Sequence, residues 1–137
     1  FHFSHLLPPN WKTEVQHWLN EDIPSFDIGG FVVGDKEEHA ILWAKSDGML
    51  AGIPFFEAVF DSLGCSVEWL LRDGAILDVS NGKIPIANVL GPCRQILIGE
   101  RTALNILSRA SGVATRTHQC VELAEKHDWH GYVAGTR

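Results

Sequence analysis

The sequence predicts an α+β fold, in which helices and antiparallel strands share one core, and three observations carry that prediction. Apolar residues recur at helical spacing from Trp11 and again over Glu100–Lys126. Between these stretches lie apolar runs of strand length, at Phe31–Val33, Ala40–Ala44, Val67–Leu71 and Ile84–Leu90. Asp47-Gly48, Asp73-Gly74 and Asn81-Gly82 punctuate them as turns.

Trp11, Val15, Trp18 and Leu19 fall at i, i+4, i+7 and i+8, one face of an amphipathic helix. Pro8-Pro9-Asn10 stops and caps the chain before it, and Asp22 to Pro24 ends it. Phe31–Val33 and Ala40–Ala44 flank the polar tip Gly34-Asp35-Lys36-Glu37-Glu38 and are expected to pair as a β-hairpin. Pro54 suits the first turn of a second helix, which continues through Phe56, Val59, Phe60 and Leu63 to Gly64 at the C-cap position. Val67, Trp69 and Leu71 alternate with Glu68 and Leu70 as a strand with one buried face. Asn81-Gly82 is expected to turn a hairpin.

Ile84–Leu90 and Arg94–Ile98 are expected to form two more strands. Pro85 lacks an N–H and demotes the first of them towards a sheet edge. Along the final helix, Ala103, Leu107, Ala110, Ala114, Val121 and Ala124 make a stripe of mostly small residues suited to close packing. Ser111-Gly112 is expected to kink or break it, because Gly costs a helix about 1 kcal/mol relative to Ala. Tyr132–Arg137 is strand-like, so the α+β domain is followed by the first strand of a second unit.

The 137 residues make one domain, or one domain and a piece of another. A net charge of -6, with no Lys/Arg cluster, argues against a nucleic-acid backbone as partner. No apolar run approaches the ~18 residues of a membrane span. The start lacks the pattern of a secretory signal, although a chain opening on Phe1 rather than Met leaves the true N-terminus open. Cys65, Cys93 and Cys120 are widely spaced, without a Cys-x-x-Cys pair, and are expected as reduced, mostly buried thiols of a cytoplasmic protein. The five tryptophans are read as core.

Three segments, in order, carry a family resemblance: Ala44–Phe55 (AKSDGMLAGIPF), Gly99–Thr115 (GERTALNILSRASGVAT) and Val133–Arg137 (VAGTR). Glu21-Asp22 fits an acidic pair near that family's start. Together they resemble the quinolinate phosphoribosyltransferases over nearly the whole chain. The resemblance implies an α/β-hammerhead-like N-terminal domain over residues 1–112. Residues 113–137 would then be a connecting helix and the first strand of an incomplete α/β barrel. The family continues past Gly-Thr-Arg with a Lys-Thr-Thr-Pro segment, so the chain is expected to be the front part of a longer enzyme. The family's later lysines, His-Arg pair and metal-binding carboxylates have no counterpart here.

The implied reaction joins quinolinate to phosphoribosyl pyrophosphate, with loss of carbon dioxide and pyrophosphate, to give nicotinate mononucleotide. Mg²⁺ is the implied cofactor, with its ligands outside this sequence, and a homo-oligomer is the implied assembly. Every reactant is anionic, and the planar fork of arginine makes two parallel hydrogen bonds to a carboxylate. Arg101 matches the family's arginine that reaches across a subunit interface to quinolinate in the neighbouring site. By charge and spacing alone it is also an exposed residue in the first turn of a helix, paired with Glu100. Thr136 and Arg137 match a substrate-binding position at the end of a barrel strand, where ligands gather on such folds. Asn105 and Arg109 lie in the same motif and are expected to support or pack rather than bind directly.

His127-Asp128-x-His130 has metal-like residue types but no further ligand at a recognised spacing, and reads as a helix end. His118 and Cys120 fall on different sides of a helix. Two alternatives remain on the sequence alone. One is a related phosphoribosyltransferase or pyrophosphorylase of the same scaffold. The other is a lipoyl-type carrier module presenting Lys36 at a hairpin tip.

Overall fold

The computed structural model describes residues 4–25 and 27–135. After a 3-10 turn at Ser4–Leu6, helix α1 (Trp11–Asp22) forms where the apolar periodicity places it, and buries Val15 and Leu19. Trp11 meets Phe55 edge-on, with ring centroids 5.1 Å apart. Helix α3 (Ile53–Ser62) starts on Pro54 as expected. The Asp73 Oδ1 accepts a hydrogen bond from the Ile53 N–H at 3.1 Å, satisfying one of the helix's orphan donors. Gly52 precedes it at φ +100°, and a side chain there would also meet the Ala110 Cβ at 2.9 Å.

Strand β1 (Glu37–Ala44) pairs antiparallel with β5 (Ile84–Pro92), and β3 (Ser66–Trp69) pairs with the other edge of β5, giving the order β1-β5-β3. Strands β2 (Gly48–Met49) and β4 (Ile76–Leu77) form a separate two-stranded antiparallel sheet. Asn81-Gly82 is therefore a turn between two sheets rather than the tip of a hairpin.

The expected hairpin does not form. Ile28–Val33 is a short helix, α2, because the Asp27 carboxylate accepts from the Gly30 N–H at 3.0 Å and caps it. Its intended partner strand belongs to β1, which is paired with β5. A three-residue apolar run carries too little periodicity to choose between helix and strand.

Pro85 does not make β5 an edge strand, since β5 is the centre of its sheet. The proline lies outside the stretch shared with β3 and beside a bulge opposite Leu42 and Trp43, where a missing N–H is tolerated. The bulge also explains why the consecutive residues Ile86 and Ala87 are both buried.

Arg94–Ile98 is not a strand either. It opens α4 (Cys93–Lys126), a 34-residue helix that runs through Ser111-Gly112 without a break. Ile96 and Ile98 fit the helical face as well as a strand, and Gly99 brings α4 close to α3. A Cβ on Gly99 would lie 2.9 Å from both the Phe60 and the Leu63 side chains. Past Lys126 the Trp129 N–H bonds to the Ala124 carbonyl and the Asp128 N–H to that of Glu125, with Asp128 at φ 54°. This is a Schellman cap built on aspartate. Tyr132–Gly135 carries no regular secondary structure, and Thr136 and Arg137 lie outside the described residues.

Helices α3 and α4 cover the inner face of the three-stranded sheet, and α1 packs on both helices. Val15, Leu50 and Val59 are the largest fully buried side chains. Phe56 sits between Phe60 (5.0 Å) and Trp69 (5.2 Å, edge-on). The tryptophans are less buried than their patterns suggested: Trp11, Trp43 and Trp69 are half-buried, while Trp18 and Trp129 are exposed. Of the cysteines only Cys65 is buried, and Cys120 is exposed.

Candidate substrate-binding face on helix α4

The Gly99–Asn105 segment occupies the third and fourth turns of α4, so Arg101 is not in a first turn. Gly99, Thr102 and Ala103 face the core, and the same winding turns Arg101 outward with its side chain 75% exposed. Its partner is not Glu100. The Arg101 Nη1 lies 3.5 Å from the Oδ1 of Asp22, whose own side chain is only 19% exposed at the end of α1. The other carboxylate oxygen of Asp22 accepts from the Oγ1 of Thr102 at 3.4 Å. A cleft of about 350 Å³ opens beside the pair, lined by Asp22, Pro24, Asp27, Leu97 and Arg101 among others.

Asn105 and Arg109 follow Arg101 at intervals of four, so the three share one exposed face of α4. Arg101 and Arg109 are eight residues, or roughly 12 Å, apart along the axis, too far to grip one small carboxylate together. A second cleft, about 580 Å³, runs along α4 beside β2, with Lys45, Asp47, Ser108, Thr115 and Arg116 on its walls. The last two positions matched to substrate binding, Thr136 and Arg137, are outside the described residues.

Sequence reasoning passed over the residues that hold this face in place. Ser111 Oγ accepts from the Ala51 N–H and donates to the Ala51 carbonyl, both at 3.1 Å. Thr115 Oγ1 accepts from the Met49 N–H at 2.9 Å and donates to the Ser111 carbonyl at 2.7 Å. Asp22 had been visible only as half of an acidic pair. The signal for the two hydroxyls was their position on the small-residue stripe, where a polar side chain needs a partner.

His127, Asp128 and His130 are exposed at the helix end. Among the described residues no three His, Cys, Asp or Glu side chains converge to hold a metal ion. His118 instead faces Glu122 one turn on, at 3.5 Å. Lys36 lies in the loop between α2 and β1, not at a hairpin tip, and donates to Glu38 at 2.8 Å. That hydrogen bond, reinforced by the Glu38 charge, raises the Lys36 pKa above its ordinary value.

An antiparallel sheet backed by helices, with a motif-bearing long helix across it, is the architecture of solved nicotinate-nucleotide pyrophosphorylases. The enzyme from Francisella tularensis superposes with a TM-score of 0.79 at 29% identity, over 88% of this chain and 43% of that one. The Streptococcus pyogenes NadC structure does so with a TM-score of 0.76 at 28% identity, over 85% of this chain and 43% of that one. Residues 23–111 match the family model described as quinolinate phosphoribosyl transferase, N-terminal domain. The chain belongs to the quinolinate phosphoribosyltransferase family. It is 45% identical to the carboxylating nicotinate-nucleotide pyrophosphorylases of Rattus norvegicus and Homo sapiens, over 96% of its own length. That of Dictyostelium discoideum is 42% identical over the same share. The chain spans 44% to 48% of the length of these relatives. No helix among the described residues is long and apolar enough to cross a membrane.

Proposed function

We propose that the chain is the N-terminal part of an enzyme that transfers the phosphoribosyl group of phosphoribosyl pyrophosphate to the ring nitrogen of quinolinate. Pyrophosphate leaves and the 2-carboxylate departs as carbon dioxide, giving nicotinate mononucleotide for NAD synthesis. The observation that carries the reading is Arg101, a cation turned out of the fold by a motif whose other members are buried, in a chain of this family. Residues 1–112 form the first domain in this reading, and 113–137 lead into the barrel that supplies the rest of the site. Thr136 and Arg137 bind substrate there, and Asn105 and Arg109 support the helix face.

Arg101 serves the site of a neighbouring copy in a cytoplasmic homo-oligomer. Its exposure supports this, because a guanidinium pointing away from its own core reaches a ligand most directly across an interface. Three free thiols and no disulfide among the described residues fit a reducing compartment. Mg²⁺ on the pyrophosphate is the family's expected cofactor, but the described residues offer it no ligand set, and no role for it is assigned to them.

In the complete enzyme, Arg101→Ala is expected to raise the quinolinate KM roughly tenfold to a hundredfold. A charged hydrogen bond contributes about 1.5–3 kcal/mol, which corresponds to that range. Mixing this variant with one defective in barrel residues should restore activity through hybrid sites. A mixture as inactive as its components rules out sharing across the interface. Titration with quinolinate against nicotinate separates this reading from a related transferase, since a site for two carboxylates rejects the mono-acid.

A further inference from the structure

We infer that Asp22 is a positioning residue for Arg101, orienting the guanidinium so that its remaining donors face an incoming carboxylate. The inference rests on the reading of Arg101 given above. Asp22 ends α1 and Arg101 stands in the third turn of α4, so the contact joins two elements separated by most of the chain. The carboxylate is itself fixed. It is largely buried, and its Oδ2 accepts from the Oγ1 of Thr102, a side chain that is 6% exposed.

Only Nη1 of Arg101 faces Asp22, at 3.5 Å. Arginine has five N–H donors in one plane, so an anchor on one amino group leaves another edge of the fork for a second, bidentate partner. With 75% of the side chain exposed, that edge is open to solvent and to a neighbouring molecule. An unanchored arginine on a helix surface samples many rotamers and would have to surrender them on binding. The stability contribution of so exposed an ion pair is small. Its effect belongs to binding, where each long side chain ordered in advance lowers the cost of association.

The nearby acidic group Asp27 is not a competing anchor. Its carboxylate is engaged by the Gly30 N–H at 3.0 Å, capping α2. Asp22 is therefore the carboxylate that holds the arginine on this face.

The test is a double-mutant cycle on the complete enzyme, with Asp22→Asn, Arg101→Ala and the pair, reading KM for quinolinate and kcat separately. Asparagine keeps an acceptor for Thr102 and removes the charge, so the fold is retained; a melting curve within about 2 °C of the parent checks this. Asp22→Asn is expected to raise the quinolinate KM about threefold to tenfold, with kcat within about twofold. In the Arg101→Ala background it should change nothing, and Asp22→Glu should recover part of the loss. An unchanged or lowered KM in Asp22→Asn, or an equal effect with and without Arg101, overturns the positioning role while leaving Arg101 as ligand. An unchanged KM in Arg101→Ala removes the ligand reading itself, and the inference with it.

Discussion

Cys65 shows how one residue's surroundings set its chemistry. It is 5% exposed and packs against Gly91, where any Cβ would lie 2.6 Å from its sulfur. Burial first, and the Glu37 carboxylate second, push its thiol above the ordinary value of 9.0. The thiolate is the reactive form, so Cys65 should resist a thiol reagent at pH 8 until the protein unfolds. Exposed Cys120 should react at once, and mass spectrometry of the alkylated peptides distinguishes the two. The sign of the pH effect follows. Below about pH 9 both folded and unfolded chains keep the thiol protonated, and its contribution is fully present. Above it the unfolded chain ionises first, so stability falls as pH rises towards the raised folded value. Urea midpoints at pH 8 and pH 10 should show a shallower decline for Cys65→Ala than for the parent.

Among the elements, α4 and the loop around β2 are joined by side chains where strands would use a ladder. Ser111 satisfies both backbone groups of Ala51, and Thr115 satisfies the Met49 N–H while returning its own proton to the Ser111 carbonyl. Removing one partner leaves half-buried polar groups unpaired, which costs more than the bond contributes. Ser111→Ala is expected to destabilise by about 1–3 kcal/mol, measured by urea unfolding. Amide exchange at Ala51 should accelerate selectively. Equal exchange at Ala51 in parent and variant would show that water replaces the hydroxyl without loss. The Ser111-Gly112 pair, which in the sequence resembles a helix breaker, is thus half of a fastening.

For the molecule as a whole, Leu50 lies where the small sheet meets the main core. It is fully buried, and its backbone bonds to both Gly74 and Ala75. Leu50→Ala should cost about 2–5 kcal/mol. If the two sheets unfold as one unit, tryptophan fluorescence and far-ultraviolet dichroism will give the same shifted midpoint. Separate midpoints would mean that the small sheet melts alone. The sequence made the helices legible where periodicity was long: α1, α3 and most of α4 stand where Trp11–Leu19, Pro54–Leu63 and Ala103–Ala124 placed them. It misled where the apolar run was short. Phe31–Val33 and Arg94–Ile98 each fit either period, and the deciding influences, the Asp27 cap and contact with α3, come from side-chain geometry and packing. Pro85 misled for the opposite reason, because a bulge formed by tertiary pairing relieves the constraint that proline imposes. The Gly99–Asn105 motif located the outward arginine correctly, but Asp22 lies about eighty positions away in the chain and no local pattern could pair them.

The hydroxyl fastening at Ser111 and Thr115 leaves about eleven residues of α4 beyond it, a free span of roughly 17 Å. Such a span is a lever. A tilt of ten degrees at the fulcrum displaces its far end by about 3 Å, and one inserted residue swings the bearing by about 100° while advancing it by about 1.5 Å. Two small side chains therefore govern the aim of everything from Lys126 onward. The length of the helix between Thr115 and the Schellman cap behaves as a calibrated setting, where substitution is tolerated far more readily than insertion.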